Sequence, residues 1–65
     1  MNWDQVQGNW KQFTGKAKQQ WGELSEDDLA AANGDREILE GKIQEQYGDD
    51  KETARRKVDE WIASL

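Results

Sequence analysis

Two local clusters in the sequence carry residue types able to do chemistry. Lys11, Lys16 and Lys18 alternate with Trp10, Phe13 and Trp21, which superficially matches the cation-and-ring platforms that hold single-stranded nucleic acid. Glu23, Glu26, Asp27 and Asp28 gather carboxylates of the kind that ligate a hard cation or work as an acid/base pair. Spacing argues against both. On a helix the rings fall along one stripe and the lysines mostly away from it, so the rings read as core and the lysines as a solvated face. The acids lack the alternating ligand positions and central glycine of an EF-hand loop. They also open a helix, where the backbone dipole favours negative charge without any metal.

The 65-residue chain contains no histidine and no cysteine. The commonest general base, the thiol nucleophile and the usual transition-metal ligands are therefore missing. Glycines spaced seven apart, at Gly8, Gly15 and Gly22, are too far from one another for a P-loop or dinucleotide fingerprint. No catalytic residue, metal or cofactor is expected, and the chain reads as a non-enzyme.

Composition narrows the class further. Hydrophobic residues make up 34% and charged residues 35%, with a mean hydropathy of −1.21, close to the border where apolar burial no longer offsets ordering entropy. Four tryptophans shift the balance toward folding, since each can bury about 150–250 Å². The net charge of −5 repels phosphate backbones, so nucleic acid is not an expected partner. The N-terminus has neither a basic nor an apolar leader region, and no apolar run is long enough for a membrane span. Together with the lack of cysteine, this predicts a soluble cytoplasmic protein, and a monomer.

Stripes at steps of three and four predict an all-α fold of four helices, over about residues 3–21, 25–33, 35–47 and 50–64. The first carries Trp3, Val6, Trp10, Phe13, Ala17 and Trp21, with Asn2 and Gln5 as a capping box and Gly22 in the left-handed position past its end. Ser25 caps the second, and Asn33-Gly34 stops it. The third ends at Gly48, and an Asp49/Glu52 capping box opens the fourth. Glu52/Arg56, Arg55/Asp59 and Arg56/Glu60 read as i,i+4 pairs on that exposed helix. Trp10, Phe13, Trp21, Leu39, Ile43, Val58, Trp61 and Ile62 are the expected shared core, with Trp3 nearer its edge.

A shift of 26 residues aligns Gly8 with Gly34, Gly15 with Gly41, Lys16 with Lys42 and Gly22 with Gly48, a degenerate internal repeat within one domain, residues 1–65. Gly8 is placed to bend or break the first helix, as Gly34 separates the next two. Gly8, Lys11, Gly15 and Lys18 form a strip opposite the apolar stripe and make the candidate docking site for a protein partner. Each interior glycine costs about 1 kcal/mol against alanine. Either the strip is solvated, or its glycines admit another backbone closely; recurrence of the Gly-Lys step favours a tight contact at Gly15 or Gly41.

The segments "MNWDQVQGNWKQFTGKAKQQWGEL", "SEDDL", "GKIQEQYG" and "ARRKVDEW" together resemble the CsbD-like family of small bacterial stress-response proteins, in order over nearly the whole chain. The resemblance implies a cytoplasmic protein raised in general stress, with a small four-helix fold and no catalytic or binding residues to carry over. Two functions follow as expectations: shielding of other macromolecules by a hydrophilic acidic surface, or a specific adaptor that docks a partner on the Gly/Lys strip.

Overall fold

Asn2 begins the first helix as its spacing predicts: its side chain accepts from the Gln5 N–H at 3.0 Å and Gln5 Oε1 accepts from the Asn2 N–H at 3.1 Å. A computed structural model describes residues 1–65 as five helices, α1 (Trp3–Gly8), α2 (Trp10–Gln20), α3 (Glu26–Ala32), α4 (Arg36–Tyr47) and α5 (Lys51–Ser64), with no strand. The all-α expectation holds; the count of four does not. The expected first helix is divided at Asn9, whose φ of −122° and ψ of 35° leave the helical region just after Gly8.

Packing on α3 explains the break. The Trp3 and Trp10 rings, one on each side of the break, lie 5.8 Å apart. The turn at Asn9 lets both indoles reach the same neighbour: Trp3 Nε1 donates to Gly34 O at 3.0 Å and Trp10 Nε1 to Leu29 O at 2.8 Å. Asn9 keeps the joint hydrogen-bonded, its amide donating to Gln5 O and its carbonyl accepting from Gln12 and Phe13. Its side chain caps nothing in α2.

The remaining helices follow the predicted limits closely, with two corrections. α2 ends at Trp21 in a non-left-handed conformation (φ −123°, ψ 79°), so Gly22 is not the left-handed cap that its position suggests. Lys18 closes that end instead, its Nζ donating to Gly22 O at 3.1 Å and Leu24 O at 2.6 Å, a cation where the dipole is negative. The cap of α5 is Asp50, accepting from the Thr53 N–H at 2.7 Å; Asp49 is drawn away to Lys57. α3 is capped by Ser25 and ends at Asn33 and Gly34, and α4 ends at Gly48, all three with positive φ.

Fourteen buried residues form one core. It contains all eight expected residues, with Val6, Ala17, Leu24, Leu29, Ala32 and Ala54 added and Trp3 half-buried at the margin. Trp61 of α5 is edge-on to Phe13 at 6.5 Å and to Trp21 at 5.1 Å, which fastens the last helix to α2.

Truncating Phe13 or Trp61 to alanine removes the ring that joins these helices. Each variant should lose about 3–5 kcal/mol, much or all of the stability of so small a domain. Thermal melts check this, and a melt within a few degrees of wild type would refute the assignment.

Acid also tests the caps. Asp28 titrates below its ordinary 3.8 chiefly because the Ser25 backbone N–H binds its carboxylate, and Asp50 does so because the side chain and backbone of Thr53 bind it. A carboxylate with a depressed native pKa stabilises above its unfolded value and loses that contribution as pH falls through the native one. Asp50→Asn keeps a capping oxygen but cannot titrate. It should flatten the dependence of Tm on pH below about pH 4.

Candidate functional site

On α2 every third or fourth residue turns away from the core, and the docking strip lies on that face: Gly8, Lys11, Gly15 and Lys18 are all exposed. The structure brings three of them together and leaves one out. Lys11, Gly15 and Lys18 line a groove of about 470 Å³ between α2 and α3, whereas Gly8 lies beyond the Asn9 break at the end of α1. The floor of the groove is Trp10, Leu29 and Ala30, and its α3 wall carries Glu26 and Asn33.

Local hydrogen bonds set what each wall offers. The Trp10 indole is held to Leu29 O, and Thr14 Oγ1 donates to Lys11 O at 2.9 Å, so these polar groups are already satisfied. The Lys18 amine is engaged by the two carbonyls that close α2. Lys11 and Glu26 enter none of the four ion pairs. The groove thus presents an apolar floor and one free charge on each wall, an arrangement suited to docking a surface by contact and charge.

The glycine expectation needs a correction. A Cβ at Gly15 or Gly41 would meet no atom within 4 Å, so neither is packed against another helix of the chain. Each is simply a helical residue without a side chain. Gly34 is the glycine that the fold does require: its φ is +82°, and an added Cβ would lie 3.1 Å from Gln7 Cγ and 3.3 Å from Gln7 O. Close approach of backbones thus occurs between α1 and the α3–α4 turn.

The acidic cluster behaves as the dipole argument implies. Asp28 completes a capping box with Ser25 and lies 3.7 Å from Lys42 Nζ, while Glu23, Glu26 and Asp27 are exposed. No group of three or more such side chains converges as metal ligands would.

Two polar clusters lie outside the sequence expectations. Glu40 is only 5% exposed and accepts from Arg36 Nε at 2.8 Å, and Arg36 also donates to Asp59 Oδ1 at 2.5 Å and to Arg55 O at 3.1 Å. Burial alone would lower the Arg36 pKa, but the hydrogen bonds it donates to the Asp59 and Glu40 carboxylates, and their charges, outweigh it and raise the value. Arg36/Glu40 is an i,i+4 spacing that could have been read; its closure by Asp59 could not. Asp59 is therefore not bound to Arg55, and neither of the other two pairs expected on α5 forms. At the other end of α4, Lys57 pairs with Asp49 and lies 4.7 Å from the Tyr47 ring centre, and Tyr47 Oη accepts from the Glu23 N–H.

The open space at two glycines makes a signed prediction. Gly15→Ala and Gly41→Ala should each stabilise by about 0.5–1 kcal/mol, whereas Gly34→Ala should destabilise by more than that. Three thermal melts check it, and destabilisation by Gly15→Ala would show the face to be covered.

Comparison with known proteins places this geometry. A family model described as CsbD-like matches residues 4–56. A UPF0337 protein of Pectobacterium atrosepticum is 57% identical over 61 residues, covering 94% of this chain and 88% of the relative. The UPF0337 protein YjbJ of Escherichia coli K12 is 52% identical over the same shares. A UPF0337 protein of Pseudomonas aeruginosa is 55% identical over 58 residues, 89% of each chain.

Proposed function

The chain belongs to the CsbD-like family, which implies a general stress-response protein, and from that premise we propose that it acts in the cytoplasm, without catalysis, by shielding other macromolecules. One observation carries this reading: its free carboxylates are all on the outside. Of 14 acids, only Asp28, Glu40, Asp49 and Asp59 enter ion pairs, and every other one is exposed. Three cations, Arg36, Lys42 and Lys57, are meanwhile neutralised in those pairs. The surface is left strongly anionic and hydrated over a core of fixed shape. Such a surface resists association and holds water and counterions near whatever it surrounds.

Protection of a labile enzyme from drying or heat is the direct test. Activity retained should exceed that with an inert acidic protein at equal mass; equal protection would remove the shielding reading.

The groove supports a second reading, a specific adaptor, because Lys11, Gly15 and Lys18 of the predicted strip line it together. A pull-down from stressed cells with wild type and Lys11→Glu separates the two. Lys11 is the cleaner position, since reversing Lys18 would also open the end of α2. One partner lost on reversal favours the adaptor, and diffuse or no capture favours shielding.

A further inference from the structure

Charge along this chain is segregated. Residues 5–22 contain Lys11, Lys16 and Lys18 and no acid, so the net −5 divides into +3 over that stretch and −8 over the rest. The boundary between the two regions runs along the groove. α2 and α3 pass it in roughly opposite directions, because Lys18 Nζ reaches Leu24 O just ahead of α3 and Trp10 Nε1 reaches Leu29 O in its middle. Lys11 therefore sits toward the Asn33 end, and Glu26 at the other end. Gly15 and Ala30 lie between them, both exposed, with nothing within 4 Å of a Cβ at Gly15.

The trough has the free Lys11 at one end and the free Glu26 at the other, beside Lys18, whose amine is held by two backbone carbonyls, so its two unengaged charges complement those of a second copy. A two-fold axis through the middle sets Lys11 against the partner's Glu26, and Glu26 against the partner's Lys11. Over Gly15 and Ala30 no side chain longer than a methyl holds the two backbones apart. Other occupants fit less well: a nucleic acid or a uniformly acidic segment would meet Glu26, and a uniformly basic segment would meet Lys11 at one end and Lys18 at the other. We propose that the α2–α3 face is an interface between two copies of this chain, closed by two Lys11–Glu26 ion pairs. This goes beyond the shielding reading and departs from the monomer that composition suggests. The interface is small and each copy carries −5, so the dimer is weak and forms at high protein concentration.

Sedimentation equilibrium tests it. Wild type should dimerise measurably by about 1 mM, and a strict monomer there would overturn the proposal. Lys11→Glu and Glu26→Lys should each weaken self-association about tenfold, since each turns two attractions into two repulsions. Mixed in equal amounts, the two variants should associate nearly as well as wild type, because both pairs are then attractive again. Failure of two folded variants to recover on mixing would overturn the geometry. Gly15→Gln gives an independent reading that does not depend on whether Glu26→Lys folds. It adds a good helix former in open space, so it should raise Tm while weakening self-association; self-association equal to wild type would refute the interface.

Discussion

Trp61 lies edge-on to both Phe13 and Trp21, with ring centres 6.5 and 5.1 Å away, and is 3% exposed. These edge-on ring contacts join α5 to α2 and the residue that ends it, within a core that also contains Leu24, Leu29, Leu39, Ile43, Val58 and Ile62. A domain of this size buries a smaller fraction of its surface than a larger one, so each large indole carries a greater share of the core. Their polar edges add direction. Trp3 and Trp10 each donate to a backbone carbonyl of the α3 region, which fixes how α1 and α2 lie on it and requires the turn at Asn9. The break in the first helix thus falls where a glycine, Gly8, is followed by the turn that seats both tryptophans.

Around this core the charges divide by role. Glu40 is buried because Arg36 reaches it, and Arg36 is held in turn by Asp59 and the Arg55 carbonyl. Such a cluster contributes little net stability compared with apolar packing, but removing one member strands the others, so it specifies how α4 meets α5. Asp49 and Lys57 act similarly at the opposite end of those helices. Asp28 pairs with Lys42 within its capping box, Asp35 and Asp50 cap α4 and α5, and the other acids face solvent without a partner. That outward excess, on a fold whose shape is held by rings, is the physical basis of the shielding reading.

The groove stands apart from that surface. It lies where the acid-free residues 5–22 meet the acidic start of α3, and its two free charges are on opposite walls. A surface that repels most macromolecules and a trough that complements itself are compatible: the first keeps the protein dispersed among other molecules, and the second allows weak association with its own kind when crowded.

Helix content, the capping box of Asn2, the Ser25 cap, the stops at Gly34 and Gly48 and all eight named core residues were legible in the sequence. Each depends on residues a few positions apart, where helical periodicity and caps operate. The docking strip was legible as a face, since Lys11, Gly15 and Lys18 share a helix, but not as a groove, because its other wall comes from α3. Gly8 was legible as a point where the first helix could break, and α1 ends there; tertiary structure decided the closure of α2 by Lys18, the burial of Glu40 and the open space beside Gly15 and Gly41. It also moved the α5 cap from Asp49 to Asp50. The reason is distance along the chain. The deciding partners are separated by 31 residues for Trp3 and Gly34, 19 for Trp10 and Leu29, and 23 for Arg36 and Asp59, and no local periodicity specifies which of many possible pairs will meet once the helices pack.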